Sequence, residues 1–153
     1  MIRIVRSTVI DAPCDRVWAF LRDFNGHERW HPAVGKSVIE RNQSSDKVGC
    51  VRHFSLRDGS ELRERLLTLS DLEQTLSYCL LDTPVPLFNY VAHIRLLPVT
   101  DGDRTFWEWR CTFTTRKGME EEMRRMVSEE IYGAGFAAVR AQLAEATAPE
   151  GPR

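Results

Sequence analysis

Apolar and charged residues alternate through Met1-Ile2-Arg3-Ile4-Val5-Arg6 and β-branched residues continue to Ile10, which predicts a strand over 2–10. Asp11-Ala12-Pro13 then opens a helix, because proline fits a first helical turn, where its missing N–H costs nothing. Asp15 sits near the positive end of that helix. Val17, Trp18, Leu21 and Phe24 recur at helical spacing, so the helix is placed at 13–23. Asn25-Gly26 breaks it, and a second short helix over 26–31 stops at Pro32. From residue 34 to 115 the pattern predicts strands near 35–42, 49–56, 60–69, 75–82, 89–98 and 104–115. Asp58-Gly59 and Asp101-Gly102 mark hairpin turns, and Thr83-Pro84-Val85-Pro86 is a rigid connector. One long helix follows over 119–146, with Met119, Met123, Val127, Ile131, Phe136, Val139 and Leu143 as its apolar stripe. The order predicts an α+β domain over 1–147, with a flexible tail at 148–153. Its seven strands form a curved, mostly antiparallel sheet, whose concave face is the one surface large enough to cover the long helix.

The hairpin around Asp58-Gly59 admits two registers. A two-residue loop sets Arg52 opposite Arg65, and like charges directly opposed are unfavourable. A three-residue loop, Arg57-Asp58-Gly59, closes with Leu56 opposite Ser60 and uses Gly59 as the left-handed residue. In that register Phe54 faces Leu62 and Arg52 faces Glu64. Cys50, Arg52, Phe54 and Leu56 then share a face with Leu62, Glu64 and Leu66. An opposed Arg–Glu pair on an apolar face is either a structural ion pair or a polar anchor in a cavity. Tyr90, Ala92, Ile94 and Leu96 share one face of their strand, as do Thr105, Trp107, Trp109, Cys111 and Phe113 of the next. Tyr78, Tyr90 and Trp109 carry polar tips that need partners when buried. The small residues Ala92, Gly133, Ala134 and Gly135 either leave space between helix and sheet or let the two pack closely.

Composition narrows the function. The chain has 153 residues, 42% hydrophobic and 28% charged, enough for a core without staples. With 21 basic against 22 acidic residues, no global field attracts nucleic acid, and Arg3, Arg6, Arg124 and Arg125 form no continuous basic stripe. No segment approaches the ~20 apolar residues of a membrane span, and the start lacks the apolar stretch of a signal peptide. The expected location is cytoplasmic, without stable membrane insertion. Cys14, Cys50, Cys79 and Cys111 form no C-x-x-C pair and read as buried thiols.

His27-Glu28-Arg29-Trp30-His31 matches the H-E-x-x-H zinc signature, but Gly26 and Pro32 leave about one helical turn and no later helix offers a third ligand. No metal and no cofactor is expected. Trp30 reads as a core or cavity-rim residue, and the two histidines as surface residues of a lid. No nucleophile elbow, phosphate loop or dinucleotide fingerprint occurs.

Several pieces, weak singly but specific in order, resemble the START and birch-pollen-allergen superfamily in its polyketide cyclase/dehydrase-like branch. They are Ile10-Asp11-Ala12-Pro13 before Val17-Trp18, Asp23-Phe24, Trp30-His31-Pro32, Gly49-Cys50-Val51-Arg52, Asp58-Gly59 and Glu64-Arg65-Leu66. Pro84-Val85-Pro86 with Tyr90, Trp109 with Phe113, and Tyr132-Gly133-Ala134-Gly135-Phe136 complete the series. The resemblance covers nearly the whole chain and implies a helix-grip fold, a sheet wrapping the C-terminal helix around a hydrophobic cavity. Arg52, Glu64, Tyr90 and Trp109 match recurring pattern positions. Fold alone does not settle activity. One reading is a binding module for a small hydrophobic or aromatic ligand, lipid or polyketide-like. Trp30, Phe54, Tyr78, Tyr90, Trp109, Phe113, Tyr132 and Phe136 would line its site, and Arg52 and Glu64 would orient a polar substituent. The alternative is a cyclase/dehydratase-like enzyme with Arg52, Glu64 and Tyr90 as acid–base and oxyanion groups. A third is a regulatory protein with a vestigial cavity. Whether the chain forms a homodimer stays open.

Overall fold

Strict inward–outward alternation makes the sheet. In the computed structural model, which describes residues 1–147, the last strand buries every second residue from Thr105 to Phe113. The strands are β1 (Ile2–Ile10), β2 (Val34–Ile39), β3 (Val51–Leu56), β4 (Glu61–Ser70), β5 (Thr75–Asp82), β6 (Phe88–Val99) and β7 (Arg104–Thr114). They form one seven-stranded antiparallel sheet in the order β1-β7-β6-β5-β4-β3-β2. Strands β2 to β7 are thus a meander, and β1 returns to pair with β7, with Ile2 opposite Phe113 and Ile10 opposite Thr105. This is the helix-grip arrangement. Among the described residues, no helix is long and apolar enough to cross a membrane.

Between β1 and β2 lie α1 (Cys14–Leu21) and a 3-10 turn at Gly26–Arg29, where the pattern predicts a second short helix over 26–31. Val17, Trp18 and Leu21 are the buried face of α1. Strand β2 ends at Ile39, three residues before the predicted 42, because Glu40–Asn42 form a 3-10 turn in which Arg41 and Asn42 take left-handed backbone. The β3–β4 hairpin adopts the three-residue loop. Leu56 N–H donates to Ser60 O at 2.8 Å, Gly59 has φ +91°, and Arg52 lies opposite Glu64 and Phe54 opposite Leu62.

The C-terminal helix departs most from expectation. It is not one α-helix over 119–146 but α2 (Glu120–Arg125), a π-helical segment (Met126–Gly133) and α3 (Ala134–Thr147). The buried positions run Met123, Val127, Tyr132, Phe136, Val139 and Leu143. The step of five from 127 to 132 is the i→i+5 geometry of a π-turn. Tyr132 therefore takes the buried place that α-periodicity assigns to Ile131, which is only half-buried. Two side chains outside the helix donate to carbonyls of this segment: Arg6 Nη1 to Ser128 O at 2.5 Å and His31 Nε2 to Ile131 O at 2.8 Å.

The helix packs on the sheet without a gap at Gly135. A Cβ there would lie 2.9 Å from the Trp109 ring and 3.3 Å from both Trp30 and His31. The small residue permits close approach, the second of the two options left open by the sequence. Trp107, Trp109, Tyr132 and Phe136 interlock beneath it, with Tyr132 stacked on Trp109 at 4.2 Å and Phe136 edge-on to Trp107 at 4.6 Å. All four cysteines are free thiols; Cys50 and Cys111 are buried, whereas Cys14 and Cys79 are only half-buried, contrary to expectation. The predicted flexible tail at 148–153 lies outside the described residues.

Candidate functional site

The helix meets the sheet over β7, through Trp107 and Trp109, and over β1, through Arg6. The space left under β3, β4 and β5 is a cavity of about 310 Å³. Its floor carries inward residues of β3, β4, β5 and β6: Arg52, Phe54, Leu62, Glu64, Leu76, Tyr78, Leu80, Tyr90 and Ile94. Phe24, His27, Trp30 and Val34 wall it on one side. Its rim is formed by Arg57 and Asp58 of the hairpin tip, Val85 and Leu87 of the Pro-rich connector, and Met126, Glu130 and Ile131 of the π-segment.

Arg52 and Glu64 are the charged pair of the floor, and each is only 8% exposed. Alternation along β3 and β4 turns both inward, and the three-residue hairpin loop sets them opposite each other. Arg52 Nε and Nη2 both donate to Glu64 Oε2, at 2.7 and 2.5 Å. Oε1 of Glu64 has no donor among the described residues. Arg52 Nη1 donates to Phe24 O at 2.7 Å, and the guanidinium lies 3.9 Å from the centre of the Phe24 ring and 5.1 Å from that of Tyr78. Burial pushes the Glu64 carboxyl above the usual carboxylate range, and the adjacent Arg52 charge opposes that rise. Two of the five Arg52 N–H groups remain for another acceptor.

The phenols form the second polar cluster. Trp109 Nε1 donates to Tyr78 Oη at 3.1 Å, and the hydroxyls of Tyr90 and Tyr132 share a hydrogen bond at 2.5 Å. Burial raises Tyr78, Tyr90 and Tyr132 above the ordinary phenol range. All three are therefore protonated at neutral pH, and Tyr90 can donate a proton but not accept one as a phenolate base.

Of the residues predicted to line the site, the structure brings Trp30, Arg52, Phe54, Glu64, Tyr78, Tyr90 and Trp109 to the cavity wall. It does not bring Phe113, Tyr132 or Phe136 there. Phe113 packs against Tyr90, Tyr132 stacks on Trp109, and Phe136 stands edge-on to Trp107 and beside Trp109. They hold the wall rather than form it.

The histidines of the H-E-x-x-H segment are not surface residues, contrary to the sequence expectation. His27 is 6% exposed and His31 5%. The reason lies in the turn. Phe24 and Trp30 flank the 3-10 turn at Gly26–Arg29, and Phe24, His27 and Trp30, spaced three apart, are all buried. The spacing F-x-x-H-x-x-W is the signal that reading the segment as a surface lid overlooks. Ser37 fixes the turn to β2: its Oγ donates to Asn25 Oδ1 at 2.7 Å and its N–H to Glu28 Oε2 at 3.3 Å. Both nitrogens of His31 are engaged. Nδ1 accepts from Ala33 N–H at 3.1 Å, which leaves the proton on Nε2 to reach Ile131 O. Glu28 is turned to β2 and His31 to the helix, so the segment does not present a zinc-ligand geometry. Among the described residues, no group of three or more His, Cys, Asp or Glu gathers as metal ligands.

His27 differs from His31. Neither of its ring nitrogens has a protein partner, although both are buried, and its ring stands edge-on to Phe54 at 4.6 Å. Trp30 Nε1, one 3-10 turn on, is likewise buried without a partner. Burial, with the nearby Arg52 and His31, drives His27 well below the ordinary histidine range, so its imidazole is neutral.

Comparison with known proteins bears on this arrangement. Residues 1–144 match the family described as polyketide cyclase/dehydrase and lipid transport. The XoxI protein of Bacillus cereus is 27% identical, with a TM-score of 0.85 over 95% of this chain and 98% of that one. A protein of Thermobifida fusca is 25% identical, with a TM-score of 0.84 over 100% of both chains. The Zhui aromatase/cyclase of Streptomyces sp. R1128 is 20% identical, with a TM-score of 0.72 over 95% of this chain and 93% of that one, a likeness of fold.

Proposed function

The chain belongs to the polyketide cyclase/dehydrase and lipid transport family, and from that premise we propose that it binds a small, largely apolar ligand in the cavity under β3–β6. One observation carries the reading: the wall of a largely apolar space holds a buried Arg52–Glu64 pair with hydrogen-bonding capacity left over. A pair serving stability alone would satisfy itself, whereas here two Arg52 donors and one Glu64 oxygen remain for a polar substituent. At about 310 Å³ the space is at the small end of the ~300–1,000 Å³ typical of small-molecule sites, which suits one or two fused rings better than a long acyl chain. The rings of Phe24, Trp30, Phe54, Tyr78, Tyr90 and Trp109 among the aliphatic lining favour a flat, unsaturated molecule.

The test is native mass spectrometry of the protein purified from its own host, followed by organic extraction. A mass increment that disappears on denaturation, and that Arg52→Met diminishes, supports the proposal. Bare protein that also fails to take up small aromatic molecules added in excess would refute it.

A second reading has one observation of its own. Burial raises the Glu64 carboxyl, and a carboxyl so tuned beside an arginine is suited to moving a proton while Arg52 stabilises an enolate-like oxygen. Tyr90, protonated and bonded to Tyr132, would serve as donor. In that case the extracted molecule would be a product, and Glu64→Gln would abolish turnover while leaving substrate bound.

A further inference from the structure

Buried polar groups in folded proteins are almost always paired, so each exception asks for an explanation. Among the side chains of the described residues, four nitrogens are buried without a partner: both ring nitrogens of His27, Trp30 Nε1 and Trp107 Nε1. Trp107 lies in the packed core, stacked at 5.7 Å on Trp109. The other three atoms belong to two residues on one face of one short turn, and both residues line the cavity. The cluster is therefore not scattered imperfection but a polar strip in the cavity wall, with His27 edge-on to Phe54 and near the Arg52–Glu64 pair of the floor.

We infer that His27, with Trp30 Nε1 beside it, is a specificity-determining element that reads a hydroxyl or carbonyl group on a neutral aromatic ligand. The inference rests on the cavity reading above and deepens it. A neutral imidazole offers one donor and one acceptor, and an indole offers a donor only. A hydroxyl, which can both give and take a hydrogen bond, matches the imidazole whichever nitrogen carries its proton. A carbonyl matches the two donors. An apolar ligand would leave all three atoms unpaired, each at a desolvation cost.

Charge excludes the other obvious class. The lining residues include two arginines, Arg52 and Arg57, against four acids, Asp23, Asp58, Glu64 and Glu130. Arg52 is already neutralised by Glu64, and Arg57 is hydrogen-bonded to Pro32 O. A carboxylate ligand would thus meet twice as many acids as arginines, with Arg57 as the one arginine not already paired with an acid, and the neutral His27 supplies no further cation.

Three probes of one shape separate the outcomes: naphthalene, 2-naphthol and 2-naphthoate, titrated against the full chain and followed by tryptophan and naphthol fluorescence. Wild type should bind 2-naphthol about tenfold more tightly than naphthalene, the worth of one well-placed hydrogen bond. It should bind 2-naphthoate more weakly than 2-naphthol. His27→Phe, which keeps a ring against Phe54, should lower the naphthol-to-naphthalene ratio severalfold, the remainder being held by Trp30 Nε1 and the spare Arg52 donors. As a check on unsubstituted protein, the ring nitrogens of His27 should shift in a long-range ¹H–¹⁵N spectrum on adding 2-naphthol and not on adding naphthalene. Naphthalene binding with no preference for 2-naphthol, a preference undiminished in His27→Phe, or 2-naphthoate binding as tightly as 2-naphthol would overturn this inference while sparing the cavity. No binding of any probe would overturn the cavity reading as well.

Discussion

Replacing Arg52 by methionine removes three hydrogen bonds, two to Glu64 and one to Phe24 O, together with the stack on Phe24. It leaves Glu64 as an unpaired carboxylate that is 8% exposed. Breaking a buried pair by removing one partner costs about 3–5 kcal/mol, whereas an exposed pair is worth about 0–1 kcal/mol. The Arg52→Met variant should therefore lose about 3–5 kcal/mol in urea unfolding at pH 7, followed by tryptophan fluorescence. The double variant Arg52→Met/Glu64→Leu removes the stranded charge and should recover about 2 kcal/mol or more. It should not recover everything, because Phe24 O stays unpaired at about 1–3 kcal/mol. Acidification supplies an independent check. Without Arg52, burial alone acts on Glu64, so its folded-state pKa rises further above the unfolded value. The folded state then binds more protons between those two values, and stability increases as the pH falls through them. The gap between wild type and Arg52→Met should narrow from pH 7 to pH 5. A single-variant loss under about 1 kcal/mol, or a double variant no more stable than the single, would show that the pair is screened by water and is not an anchor.

Burial holds His27 and His31 below the ordinary histidine range, so below about pH 6.5 the unfolded chain takes up protons that the folded chain refuses. Each such histidine should withdraw about 1.4 kcal/mol of stability per pH unit in that window; since Glu64 contributes in the opposite sense, the effect is read as the difference between His27→Phe and wild type, which should shift in the variant's favour from pH 7 to pH 5.5. An unchanged difference would mean that His27 titrates normally. Gly135→Ala places a Cβ 2.9 Å from the Trp109 ring; overpacking of about 1–3 kcal/mol against a helical preference of about 1 kcal/mol for alanine predicts a net loss and a lowered Tm, and a gain in Tm would contradict the packing described. Tyr132→Phe removes the hydroxyl that pairs with Tyr90, which keeps Tyr78 and Cys111 as hydrogen-bonding neighbours, and should cost about 0.5–1.5 kcal/mol in urea unfolding; the losses of Tyr90→Phe and Tyr132→Phe should not add in the double variant, and additive losses would mean that the two hydroxyls do not pair.

The sheet was legible because its determinants are local. The choice of hairpin loop followed from the repulsion of Arg52 and Arg65, and the observed register agrees, with Arg52 facing Glu64. The inward faces of β6 and β7 followed from period-two alternation. In the C-terminal helix the sequence reading fails through a wrong period: 3.6-residue periodicity assigns the buried place to Ile131, whereas a π-turn gives it to Tyr132. Between Phe24 and Trp30 it fails differently, because a short turn between Gly26 and Pro32 reads as a surface lid although Phe24, His27 and Trp30, spaced three apart, mark a buried face. Phe113 and Phe136 are a different matter. Their inward direction was right, but depth behind another ring is set by the tertiary crossing of helix and sheet, which no local pattern records.

The two unusual helical turns are linked, and the link explains why the cavity sits where it does. The π-segment advances the buried face of the helix by one residue, which sets Tyr132 flat on Trp109 while Met126, Glu130 and Ile131 remain at the cavity rim. A π-turn has poorer backbone geometry than an α-turn and persists where surrounding groups hold it. Here the holders are Arg6 on Ser128 O and His31 on Ile131 O. His31 also accepts from Ala33 N–H just beyond the 3-10 turn that carries His27 and Trp30. The residue pinning the rim and the residues facing the cavity are therefore carried by one short stretch of chain, itself tied to β2 through Ser37. A ligand that engages His27 draws on the same rigid stretch that keeps the π-turn in place. The apparent zinc signature is thus a positioning device: its first histidine faces inward to the cavity, and its second fastens the helix that closes it.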